Sequence, residues 1–337
     1  MGSGAVLSVA DLDVSAPPFQ TYDPFLFCVY HRDEYPAGDG SMQAPRRGNG
    51  NDFDRDAPYR MYHGDRIPGF PQHPHRGFET LTCTIKGIID HTDSLGCAGR
   101  YGNGDLQWMT AGKGIVHGEN FPLINTNAPN PTKFFQIWLN LPHKSKLANP
   151  DQVMFWAERI PRVSLDAGRV QVTVWAGEFN GVRGLPPPKN SWASDPAHDV
   201  AVWLIEIDPG GSVSLPPSAK SSNRTLYFVG GDAIAVDDQR ASQHSLFRIR
   251  DQTQVEIKNA GTTRAEVLML QGQPINEPVH QYGPFVMNSR EEIQQAFADY
   301  RATQFGGWPW EQDAVVFPAD KGRFVSINGV ESRPPSA

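Results

Sequence analysis

The chain has 337 residues and a formal net charge of −7, with 30 Lys and Arg against 37 Asp and Glu. An acidic balance without a basic block excludes direct nucleic-acid binding through a positive face, and the absence of an apolar run of about 18 residues excludes a helical membrane span. Three cysteines, Cys28, Cys83 and Cys97, form no disulfide framework and point to a reducing compartment, cytoplasmic or, in a eukaryote, also nuclear.

The opening stretch MGSGAVLSVADLDV lacks a basic region followed by an apolar run, so no secretory leader is expected, and Gly2 is only a faint lipidation signal. DPFLFCVY, residues 23–30, reads as a short strand. Residues 37–58 are polar and glycine-rich and read as a long surface loop whose Arg46–Arg47 pair could meet an acidic partner; a solvated insertion is the plainer reading. From Glu79 the period of two is clear, with Leu81, Cys83 and Ile85 alternating with Thr80, Thr82 and Thr84, as in a half-buried strand ended by Gly87. IIDHTDS reads as a second strand and LGCAGRYGNGD as a glycine-rich turn. LQWMTAG, KGIVHGE and FFQIWLNLP are further short strands.

A second all-β block contains VQVTVWAGEF, VAVWLIEIDPGGSVSL, TLYFVGGDAIAVDD and AEVLMLQGQP, with a proline-rich connector after the first. Short strands joined by glycine turns predict antiparallel barrels or sandwiches, and two blocks of similar rhythm suggest duplication. Gly230–Gly231 is a hairpin turn rather than a nucleotide loop. SREEIQQAFADYRA reads as a helix, with Ser289 and Glu292 at capping-box spacing and Ile293, Ala296, Phe297 and Tyr300 on one face. The aromatics of GGWPWEQ are expected to pack against a barrel. The expected domains are residues 1–150, with the 37–58 insertion, residues 151–290, and a helix and tail over 291–337.

Two strand segments carry the candidate chemistry. His73, His75 and Glu79 share parity with Leu81, Cys83 and Ile85, provided the extended conformation runs through Pro74 and is not broken at Arg76–Gly77. In AGKGIVHGEN, Ile115, His117 and Glu119 share one face. Two adjacent strands then aim three imidazoles and a carboxylate into one cavity, which by ligand type suits iron, manganese, nickel, copper or zinc. A mixed set with open positions favours a catalytic or redox metal over a structural one. His63, His91, His143, His198, His244 and His280 read as hydrogen-bonded core or surface residues, and Cys83 as a buried thiol. No phosphate loop and no nucleophile elbow is present.

FPQHPHRGFETLTCTIKG, GDLQWMTAGKGIVHGEN and QYGPFVMNSREEIQQAF resemble the hallmark segments of the pirin family, within the cupin superfamily, over about Asp23 to Ala302. His-x-His-x3-Glu also fits the first general cupin motif, and Gly112-x-Gly114-x2-His117 approximates the second. The resemblance implies an all-β bicupin: two antiparallel jelly-roll barrels face to face with a C-terminal helix, the N-terminal barrel alone holding metal, usually iron. It places the ligands on His73, His75, His117 and Glu119; a general cupin would use Glu79 as its carboxylate, leaving Glu79 as the alternative. The second block has no His-x-His. Two functions follow: an iron-dependent quercetin 2,3-dioxygenase-like enzyme taking a flavonol and O2, with Glu119 or Glu79 as base, or a monomeric regulatory protein whose iron state controls docking to a transcriptional or metabolic partner.

Overall fold

Strand Phe78–Lys86 is buried on both faces over its first seven residues rather than half-buried. The threonine face is lined by polar partners instead of water: Thr82 Oγ1 lies 2.9 Å from Glu119, and Thr84 Oγ1 donates to Asp105 O at 2.6 Å. Alternation of Leu and Thr here marks two differently lined interiors.

The computed structural model describes residues 4–15, 18–47, 50–242 and 244–336, so Gly2 and residues 48–49 of the expected loop lie outside the described residues. Two compact units interleave along the chain, one formed by residues 1–28 and 159–276, the other by 29–158 and 277–337. This grouping differs from the expected consecutive blocks, cut after residues 150 and 290. Val6–Asp11 joins Ser245–Ile249, and Phe324–Ile327 joins Ala98–Gly102, so distant segments complete each unit's sheets.

The first unit has a seven-stranded and a four-stranded antiparallel sheet around an apolar interior that includes Val172, Trp203, Leu226, Phe228, Phe247 and Met269. In the second unit, a six-stranded sheet carries the strands Gly69–His75, Ile115–Asn120, Ile88–Asp93, Ala98–Gly102, Phe324–Ile327 and Val330–Ser332. Against it packs a five-stranded sheet that includes Phe78–Lys86, Leu106–Thr110 and Asn130–Asn140. Among the described residues no helix is long and apolar enough to cross a membrane.

One expectation needs correction in this second unit. AGRYG, read as part of a turn, is the buried strand Ala98–Gly102, because Arg100 pairs there with Asp90 across the ladder. Arg46 and Arg47, for which an acidic partner was the lesser alternative to a solvated insertion, meet acids near them in the chain, Asp65 at 2.6 Å and Asp52 at 3.1 Å. The helix forms as expected over Arg290–Thr303. Ser289 accepts from Glu292 N at 3.2 Å, while the Glu292 carboxylate accepts from Asn288 N at 2.9 Å. Ile293 and Ala296 are buried, with Phe297, Tyr300 and Trp308 packed beside them.

Candidate metal centre

The chain turns at Gly77, whose φ of +88° favours glycine and whose Cβ position would run into Val286 O. This turn breaks the run from His75 to Glu79, so the two histidines and Glu79 sit on strands of different sheets. By the period of two, Glu79 lies on the opposite face of its strand from Thr82, and its carboxylate accepts from Thr110 Oγ1 at 2.6 Å.

Strand Gly69–His75 pairs antiparallel with Ile115–Asn120, with His73 directly opposite His117. Ring centroids are 4.5 Å apart for His73–His117, 4.9 Å for His75–His117 and 4.7 Å for His73–His75. One nitrogen from each ring lies within 4.8 Å of the other two, the one such group of three or more His, Cys, Asp or Glu side chains among the described residues. Phe78 and Trp138 wall the His75 ring, at 5.1 and 5.3 Å.

Burial keeps these rings neutral, the form that binds metal. It lowers His73 to about 4 and holds His75 and His117 well below the ordinary histidine value, with the neighbouring histidines adding to the effect. His73 Nδ1 is 2.9 Å from Pro71 O, so it carries the proton and leaves Nε2 as a lone pair. His75 Nδ1 and both nitrogens of His117 are buried without a hydrogen-bond partner. Buried polar atoms are costly unless matched. Three neutral imidazoles gathered around one point, two of them with buried unmatched nitrogens, fit a cation of the borderline, nitrogen-liking class.

Glu119 follows on the His117 strand, 5% exposed. Its carboxylate is not in the three-imidazole group; Thr82 Oγ1 at 2.9 Å, Tyr101 OH at 3.3 Å and Gln136 Nε2 at 3.3 Å surround it. Thr82 Oγ1 is also 2.8 Å from Gln136 Oε1, and a single hydroxyl proton cannot serve both acceptors. Thr82 therefore serves one of these acceptors at a time, and burial raises the Glu119 pKa above the usual carboxylate range, as suits a carboxylate that takes up a proton.

Sequence reasoning missed what lies behind this carboxylate. Tyr101 OH lies 3.2 Å from Gln107 Oε1; Gln107 donates to Gln152 at 2.8 Å, and Gln152 to Asp93 at 3.3 Å. Asp93 holds His91 Nε2 at 3.2 Å. His91, opposite Glu119 in the ladder, brings the chain back to within 5.4 Å of the His117 ring. The expectation of a hydrogen-bonded core histidine holds for His91, but only the strand pairing reveals its neighbours.

Residues 13–139 match the family model described as Pirin, and residues 202–306 match that of the pirin C-terminal cupin domain. The chain belongs to the pirin family. It is 36% identical over 250 residues to human Pirin, covering 73% of this chain and 80% of that protein. A Pseudomonas aeruginosa protein described provisionally as a quercetin 2,3-dioxygenase is 37% identical over 240 residues, 70% of this chain and 80% of its own. The 1.88 Å crystal structure of quercetin 2,3-dioxygenase from Acinetobacter baumannii superposes with a TM-score of 0.71 at 25% identity, covering 90% of this chain and 98% of that one. The two-cupin, mostly β architecture inferred from the pirin motifs therefore stands.

Proposed function

We propose that this pirin-family protein is an iron-dependent dioxygenase that cleaves a flavonol-type ring with O2. The observation that carries the reading is the group of three clustered, neutral imidazoles, two of them, His75 and His117, buried with unmatched nitrogens. The names of the Acinetobacter and Pseudomonas relatives support the substrate class.

His73, His75 and His117 would hold the iron, with Glu119 as carboxylate partner and Glu79, on the far face of its strand, as the less favoured alternative. When bound, the metal supplies Lewis acidity that makes a flavonol hydroxyl easier to deprotonate, together with a site for O2 chemistry. Glu119 accepts that hydroxyl proton at its carboxylate, and Thr82, Tyr101 and Gln136 orient the group for the transfer. Phe78 and Trp138 pack against His75 and help keep water from the reacting ring.

The test incubates iron-loaded protein with quercetin in air and measures carbon monoxide. Release that depends on both His75 and His117 supports the reading. Release no greater than that of a His75→Ala, His117→Ala control overturns it.

A further inference from the structure

The segment after the helix lies beyond the residues matched by the family models, and it is pinned across the sheet that carries the histidines. Trp310 Nε1 donates to Asp93 O at 2.9 Å, Asn120 Nδ2 to Val315 O at 3.1 Å, and Phe317 N to Asp90 Oδ2 at 2.8 Å. A further pin is double: Gln72 N donates to Asp313 O at 2.9 Å, and Gln72 Nε2 to Asp313 Oδ1 at 2.7 Å. Gln72 is 241 residues from its partner in sequence.

This double pin falls on an irregularity in the metal-bearing ladder. Phe70 pairs with Glu119 and His73 with His117, so two residues on one strand, Pro71 and Gln72, stand against Gly118 alone on the other. An extra residue of this kind bends the strand and re-aims the neighbouring side chain. Pro71 supplies the carbonyl that takes the His73 Nδ1 proton, and Gln72 is tied outward to Asp313 through both backbone and side chain. Proline has no amide hydrogen, so the Gln72 pin is the bulge's one backbone N–H anchor.

We propose that Asp313 is a positioning residue of the metal centre: by holding Gln72 it fixes the bulge whose Pro71 carbonyl orients His73. The inference rests on the metal-binding reading above. Loss of a hydrogen bond directly behind a metal ligand weakens binding by roughly 10- to 100-fold. Asp313 acts one residue further back, so the lower end, roughly 10-fold, is expected.

The experiment titrates metal-free protein with cobalt(II), a coloured stand-in for iron, following visible absorption and chelator competition. Wild type is compared with Asp313→Ala, Asp313→Asn, Trp310→Phe and His117→Ala, each checked for an unchanged thermal midpoint. Asp313→Ala is expected to bind cobalt roughly 10-fold more weakly with an altered absorption band. Asp313→Asn, which keeps the Oδ1 acceptor, restores both. Trp310→Phe loosens the same segment away from the bulge and leaves both unchanged. Wild-type affinity and spectrum in Asp313→Ala overturn the proposal, as does an equal loss in Trp310→Phe. A wild type that binds no cobalt, or binds it independently of His117, overturns the metal reading itself and this inference with it.

Discussion

Replacing Arg100 by Ala removes the guanidinium that joins the Phe317–Lys321 segment to the sheet that carries the histidines. Arg100 is 1% exposed and Asp90 fully buried. The pair is bidentate, Nε to Oδ1 at 2.7 Å and Nη2 to Oδ2 at 2.8 Å. The remaining donors reach Pro318 O, Lys321 O and Phe317 O, each at 2.7 Å. Stripping one partner from a buried pair costs about 3–5 kcal/mol, because the other charge stays buried without compensation. The three carbonyls can reach water once the segment lifts, so they add little, and about 4 kcal/mol is expected at pH 7.5. Urea unfolding followed by tryptophan fluorescence measures it as a shift in midpoint.

The pH dependence sharpens the test. Burial already holds the Asp90 carboxyl above its usual value despite Arg100, and without the arginine it rises further. The folded variant then binds a proton that the unfolded chain does not, so its stability falls as pH rises and its deficit against wild type shrinks toward pH 5. A deficit below about 1 kcal/mol, or one that does not change with pH, would refute the reasoning.

Other outcomes follow from the same structure. His31 is 5% exposed, stacked on Phe134 and hydrogen-bonded to Tyr62, and burial, reinforced by Arg60, lowers it to about 3. Between pH 6.5 and about 3 the unfolded chain carries the extra proton, so stability drops on acidification, by up to about 4–5 kcal/mol from this group. His31→Phe keeps the stacking and should flatten that acid limb in urea midpoints taken from pH 7 to 4.5; parallel limbs would count against it. Elemental analysis after anaerobic Fe(II) loading should give about one iron per chain, lost in His75→Ala and in His117→Ala; retention in both would remove the ligand assignment. Gly77→Ala, at φ +88° with Val286 O in the way, should cost roughly 2–3 kcal/mol. An unchanged melting temperature would show that the corner relaxes freely.

The histidine triad was legible because strand periodicity is local: spacing two in HPH and again in IVHGE places each side chain without knowledge of the partner strand. Gly77 defeated the extension of that logic to Glu79, since one left-handed residue sends the next strand into the other sheet. The Ala98–Gly102 strand was hidden because its stability comes from Arg100 reaching Asp90 and distant carbonyls, and not from apolar alternation. The polar chain from Glu119 to His91 and the Asp313–Gln72 pin depend on register and on separations of up to 241 residues, which no window of sequence contains. The aromatic tail was foreseen only in outline; Trp308 packs beside the helix, while Trp310 donates to Asp93 O.

The interleaving of the two units has a consequence for biosynthesis. Ala98–Gly102 waits for Phe324–Ile327, and Gln72 for Asp313, so the sheet that carries the histidines has an unfinished edge while some 220 further residues emerge from the ribosome. Folding one domain after the other during translation, the usual order for multidomain chains, is unavailable to this unit. Its histidines are synthesised early and its outer supports late, so the sheet around them is completed only once the Phe324–Ile327 segment has been made.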